Sequence, residues 1–267
     1  MSFSIAGKTA IVTGAAHGVG LAIGRHFVEA GANVVFADRD EEALEREVAS
    51  MVEEDGPVRM FAGDLRQKLT IANLLSLAAD SFDGVDILVN ASRQMIETDP
   101  FDAEDDSVET LLEQNLMTAL KLSQATAKRM IKQSEGQEDR PAGSIINLSS
   151  IAARRTHANL LAYSVSSAAL DQMTRSLAVA LAPKRIRVNA VAFGSVMSAS
   201  LKGALKEHEE MRGEILAHTP LNRIASAGEV SDAVQYLASD ASAFVTGQVI
   251  TVDGGRTLID AASVAAH

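Results

Sequence analysis

A chain of 267 residues, 47% hydrophobic and 22% charged, is long enough to bury one large core. Its net charge of −11 argues against a nucleic-acid binder, which needs a basic surface for the phosphates, and the absence of cysteine excludes disulfides, thiolate catalysis and zinc–cysteine sites. The six histidines show no metal-ligand spacing, the first residues lack the basic and apolar regions of a signal peptide, and no apolar run approaches the ~20 residues of a membrane span. A cytoplasmic protein with no metal, no nucleic-acid partner and no membrane partner is expected.

Taken in chain order, short apolar runs rich in β-branched residues fall at 9–14, 33–38, 58–63, 85–90, 144–149, 186–192 and 248–254. Longer helix-period segments separate them, the most extended being 108–133 and 160–182. Each strand-like run is apolar throughout, the pattern of a parallel sheet covered on both faces. The expected fold is therefore α/β, a single doubly wound Rossmann domain over 1–267 with a seven-stranded parallel sheet and helices on both faces. Residues 134–143 read as a polar loop. Residues 194–220 break the rhythm with a polar helical insertion after a strand end, where open α/β sheets bind ligands, and so read either as a substrate lid or as a plain surface helix.

The first strand runs straight into Thr-Gly-Ala-Ala-His-Gly-Val-Gly, which supplies Gly14, His17, Gly18, Val19 and Gly20, and then into an amphipathic helix. Glycines there permit a tight turn and close approach of backbone to a pyrophosphate, and the helix start offers free N–H groups and the positive end of its dipole. At the end of the second strand, Asp38 is positioned to accept hydrogen bonds from the adenine ribose of a dinucleotide. A carboxylate there repels a 2′-phosphate, which favours NAD over NADP; the neighbouring Arg39 pulls the other way. Asp40 suits the job of capping the next helix better than Asp38 does.

The glycine pattern T-G-x-x-x-G-x-G resembles the short-chain dehydrogenase/reductase family, and other stretches agree in order and spacing. The resemblance implies adenine contacts at Asp64 and Leu65, and cofactor contacts at Asn90, Ala91 and Ser92, where the family has Asn-Ala-Gly. Further cofactor contacts are implied at Gly194 and Val196 beyond the sixth strand, where Phe193 replaces the usual proline. It makes Tyr163 the residue that passes a proton to or from the substrate oxygen and contacts the cofactor. Ser150, thirteen residues earlier, holds the same oxygen, and Asn115 is the helix asparagine that helps to organise a proton-relaying water. The implied activity is interconversion of a small-molecule alcohol and carbonyl with NAD, by a homo-oligomer, most often a tetramer in this family.

One member of the set departs. The family pattern is Y-x-x-x-K, whereas this chain has Ser167 four residues after Tyr163. Residues at i and i+4 share a helix face, so a lysine would hold its ammonium against the phenol and the nicotinamide ribose. A unit charge ~4 Å away at an effective dielectric of ~20 is an interaction of ~4 kcal/mol before solvent and relays reduce it. Ser167 donates one hydrogen bond and carries no charge. Three readings follow: an enzyme with a weakened acid–base group, a cofactor-binding relative without activity, or a chain altered deliberately at this position. Arg154 and Arg155 are the substitute cations nearest in sequence; Lys184 lies in a turn too far away.

Overall fold

The computed structural model describes residues 2–137 and 140–260. Residues 261–267 of the expected domain and 138–139 of the polar loop lie outside the described residues. Its strands are β1 (Thr9–Thr13), β2 (Asn33–Asp38), β3 (Val58–Ala62), β4 (Ile87–Asn90), β5 (Gly143–Ser150), β6 (Ile186–Phe193) and β7 (Val249–Val252). They form one sheet in the order β3-β2-β1-β4-β5-β6-β7, parallel throughout. The chain builds outward from β1 to β3, then returns to the other side of β1 with β4. The break between β1 and β4 is therefore the switch point at which such sheets open a crevice beyond their carboxyl ends.

The helices are α1 (Gly18–Glu29), α2 (Glu41–Val48), α3 (Lys68–Phe82), α4 (Ser107–Leu111), α5 (Thr118–Gln133), α6 (Leu161–Leu181), α7 (Ala199–Glu207), α8 (Glu209–Ala217) and α9 (Ala227–Ala238). Strand periodicity divides the core in two. Val12, Phe36, Val89 and Leu148 face one way and pack with Phe27 of α1, Leu44 of α2 and Val234 of α9. Their neighbours Ile11, Val35 and Leu88 face the other way and pack with Leu74 of α3 and Met130 of α5. Both faces are sealed, which is why every strand reads as apolar without alternation.

The segment expected as one helix over 108–133 is interrupted. Residues Leu112–Met117 form a π turn between α4 and α5. The Thr118 hydroxyl donates to the Glu113 carbonyl, and the Asn115 side chain is drawn off to main chain outside the helix. Single π turns of this kind recur at functional sites, and this one lies beneath the mouth of the crevice.

Candidate active site

The crevice is a cleft of about 990 Å³, at the upper end of the range for small-molecule sites. One end is built by the loop from β1 into α1. Gly14 has φ +63°, and a Cβ there would meet the Ala91 carbonyl oxygen and the Ser92 backbone at 2.8 Å. A Cβ on Gly20 would lie 2.2 Å from the Gly14 oxygen. The turn is thus closed down on the end of β4, and the Thr13 hydroxyl fixes it by accepting from the Ala91 and Ser92 N–H groups at 3.0 and 3.1 Å. No side chain caps α1, so its first N–H groups and dipole face the cleft.

At the end of β2, the Asp38 carboxylate accepts from the N–H groups of Ala16 and Asp40, at 3.1 Å each. The half-buried carboxylate is thereby aimed at the glycine loop rather than at α2. Asp40 does cap α2, accepting from the Ala43 N–H at 3.0 Å, and bonds His17 at 2.9 Å. These two partners hold its carboxyl below the usual range. His17, Val19, Asp38 and Arg39 all line the cleft. Asp64 and Leu65, expected at the adenine, do not line it. The Asp64 carboxylate is taken by Arg66 at 2.6 Å, which holds it below its ordinary pKa, and Leu65 is buried in the core on the α3 side.

The other end of the cleft is walled by Ser150 at the tip of β5, Tyr163 in the first turn of α6, and Phe193, Gly194 and Val196 following β6. Leu201, Ala204 and Met211, on α7 and α8, complete it. Ser150 and Phe193 are register partners on adjacent strands, so the sheet itself sets their spacing. The Tyr163 ring packs against Leu111 and Ala162 and is 6% exposed, which leaves its hydroxyl at the wall.

Beside this wall is a second, smaller cavity of about 10 Å³, room for about one water. Asn90, Ser92, Asn115, Tyr163 and Ser167 border it. Asn90 donates to Ser123 and Asn147 at 3.0 and 2.8 Å, and its own carbonyl oxygen is buried without a partner. Asn115 both donates to and accepts from the Gln94 main chain, at 2.9 and 2.8 Å, and also donates to Ser166. Its amide is committed to holding the loop that follows β4.

That loop carries a residue the sequence reading missed. The Arg93 guanidinium donates to the Tyr163 hydroxyl at 2.5 Å and lies 4.2 Å over the Phe193 ring. Arg154 and Arg155, the cations sought in the sequence, turn elsewhere, to the Thr251 hydroxyl and the Thr257 carbonyl. The signal was available in topology. Since β4 neighbours β5, a residue just beyond the end of β4 comes closer to Ser150 and Tyr163 than sequence distance suggests.

Residues 14–257 match the family model described as Enoyl-(Acyl carrier protein) reductase. The chain belongs to the short-chain dehydrogenase/reductase family. Among these short-chain dehydrogenases/reductases, the 7alpha-hydroxysteroid dehydrogenase of Escherichia coli (strain K12) is 32% identical over 249 residues, covering 93% of this chain and 94% of that one. The 3-oxoacyl-[acyl-carrier-protein] reductase of Thermotoga maritima is 30% identical over 252 residues, covering 94% and 98%. A solved structure of a 7 alpha-hydroxysteroid dehydrogenase complexed with NADH and 7-oxo glycochenodeoxycholic acid superposes with a TM-score of 0.86 at 31% identity, covering 95% of each chain. Ser92, Ser167 and Phe193, the positions read in the sequence as departing from the motifs it resembles, all border Arg93 or the cavity beside it. No helix among the described residues is long and apolar enough to cross a membrane.

Proposed function

We propose that the protein is an NAD(H)-dependent oxidoreductase that interconverts a secondary alcohol and a ketone on a small molecule. The observation that carries this is the pairing, across one cleft, of a glycine cradle that any Cβ would fill with the Ser150 and Tyr163 hydroxyls at the opposite wall. The residues fit a dinucleotide: Gly14, Gly18, Val19 and Gly20 with the α1 N-terminus would hold its pyrophosphate, and Asp38 its adenine ribose. Asn90, Ala91, Ser92, Gly194 and Val196 would flank its nicotinamide half. Asp64 and Leu65 would contribute through main chain alone. The carboxylate of Asp38 disfavours a 2′-phosphate, so NAD is the expected partner despite Arg39.

A bound nicotinamide supplies or accepts the hydride. In the reductive direction, the Ser150 hydroxyl donates to the carbonyl oxygen and orients it. The Tyr163 O–H breaks and its proton goes to that oxygen, leaving the electron pair on the phenol oxygen. Oxidation runs the same steps in reverse. Asn115 holds Gln94 and α6 together beneath this pair. The insertion over 194–220, with α7 and α8, closes over the substrate as a lid. The named relatives act on a hydroxysteroid and a 3-oxoacyl thioester carrier, which share the secondary alcohol–ketone pair. The protein is further proposed to be cytoplasmic and to work as a homotetramer.

The test is oxidation of NADH and of NADPH against a panel of ketones, steroidal ones included, with Tyr163→Phe in parallel. The expected result is turnover with NADH well above NADPH, and a loss of about 10²–10⁴-fold on removing the general acid. Tight NADH binding with no turnover anywhere in the panel would favour the competing reading, a cofactor-binding relative disabled at Ser167.

A further inference from the structure

The usual place for a cation beside Tyr163 is taken by Ser167, yet the phenol has a cationic partner. We propose that Arg93 supplies the charge that Ser167 lacks, touching the reacting oxygen of Tyr163 itself, and that the ring of Phe193 holds the guanidinium in place. This deepens the reading of the site as an alcohol–carbonyl oxidoreductase and rests on it.

Three independent contacts converge on the assignment. Arg93 Nη1 is 2.5 Å from the Tyr163 hydroxyl. The guanidinium carbon stands 4.2 Å from the centroid of Phe193, close enough for a cation–π contact, and Phe193 is itself 2% exposed and fixed in β6. The backbone beside Arg93 is clamped, because Asn115 bonds both the N–H and the carbonyl of Gln94. Among the described residues Arg93 forms no ion pair, so its charge is not spent on a carboxylate.

The other charged groups around the cleft have their own partners or lie at its far end. Arg155 donates to the Thr257 carbonyl, Arg256 to Ser195, and His157 bonds Asn159. His17, Asp38, Arg39 and Asp40 lie at the glycine-loop end. From the side of α6, Ser166 and Ser167 face the phenol without charge, and from the π turn Asn115 does so as a neutral amide.

The chemistry follows from the contact. When Tyr163 gives its proton to the carbonyl oxygen, the electron pair left behind is stabilised by a charge-assisted hydrogen bond from Arg93. A guanidinium never loses its own proton in this range, so unlike a lysine it cannot serve as the next link of a proton relay. The proton that restores the phenol must come from solvent through the open side of Arg93, which is exposed.

The chain offers a direct readout that needs no substrate. It has no tryptophan and two tyrosines, Tyr163 and Tyr236, so Tyr236→Phe leaves Tyr163 as the one source of the tyrosinate ultraviolet band. In that background the band is expected to appear at higher pH in Arg93→Met than in the Arg93 protein, by about one pH unit or more, with Arg93→Lys closer to the Arg93 protein. Identical titrations would overturn the proposal. Kinetics provide the second arm. Arg93→Met is expected to lower kcat about tenfold to a hundredfold, to shift the pH–rate profile alkaline, and to change KM little. Ser167→Lys is expected to restore activity in Arg93→Met, where the oxygen of Tyr163 has no other cation. A hundredfold gain from Ser167→Lys alone would show that Arg93 does not do the work. If no ketone turns over, the functional reading fails, while the titration still decides what Arg93 does to Tyr163.

Discussion

Gly14 and Gly203 make opposite predictions from the same substitution. At Gly14 an added methyl meets three backbone atoms of Ala91 and Ser92 at 2.8 Å, with φ at +63°. The left-handed conformation alone costs about 1–2 kcal/mol for an alanine, so Gly14→Ala is expected to lower Tm by at least about 2–4 °C and to abolish tight NADH binding. At Gly203, inside α7, nothing lies within 4 Å of the added Cβ. There Gly203→Ala is expected to be neutral or to stabilise by up to about 1 kcal/mol. Thermal denaturation of both variants, with NADH binding by fluorescence, checks the pair. The role of Gly14 could be read from the sequence because a glycine before a helix has few physical uses. The Arg93–Tyr163 contact could not, because 70 residues of chain separate the partners and only the β4–β5 adjacency joins them. Sequence proximity pointed to Arg154 and Arg155 instead, and the loop before α6 carries both away.

At the level of elements, α9 shows how local chemistry fixes a helix that the core then uses. Ser226 and Glu229 form a reciprocal capping box, and Arg223 grips the same carboxylate at 2.5 Å. The Arg223 pair and the Ser226 N–H lower the Glu229 pKa from 4.5 to about 2. A carboxyl whose folded pKa lies below its unfolded one contributes stability above the unfolded value and loses it as pH falls through the folded one. The group is exposed, so solvent screening keeps its share below about 1 kcal/mol. Glu229→Gln is therefore expected to lower Tm slightly at neutral pH, with the deficit shrinking as pH falls from about 4.5 towards about 2. A deficit that stays constant with pH would assign the effect to lost capping geometry instead. The seven strands and the long α6 were predicted to within about two residues because sealed parallel strands and helical periodicity leave local marks. The π turn over Leu112–Met117 was not, since its cause is the pull of the Gln94 main chain on Asn115, a contact no periodicity records.

For the whole molecule, the question is how a chain of net charge −11 would associate with copies of itself, since such charge repels. The outer face of α6 adds no negative charge to this repulsion. Leu161, Val165, Ala168, Gln172, Arg175 and Val179 recur at helical spacing and are all exposed, with no acid among them. Asp171, the one acid on the helix, is turned inward, and burial pushes its carboxyl above the usual range. A small residue at the centre of the stripe, Ala168, lets two such helices approach closely, and Val179 at its end is 78% exposed in the single chain. Light scattering on the protein is expected to give a tetramer. Ala168→Arg inserts a long cation at the centre of the stripe without touching the core, so it is expected to lower the mass to dimer or monomer. Where assembly stabilises the fold, the parent Tm rises with protein concentration and the variant's rises less. A monomeric parent would end the proposal of an oligomer, whereas a variant that remains tetrameric would move the interface off α6. Because Tyr163 stands on the first turn of this same helix, loss of activity in the monomeric variant would show that assembly holds α6 in register with the cleft.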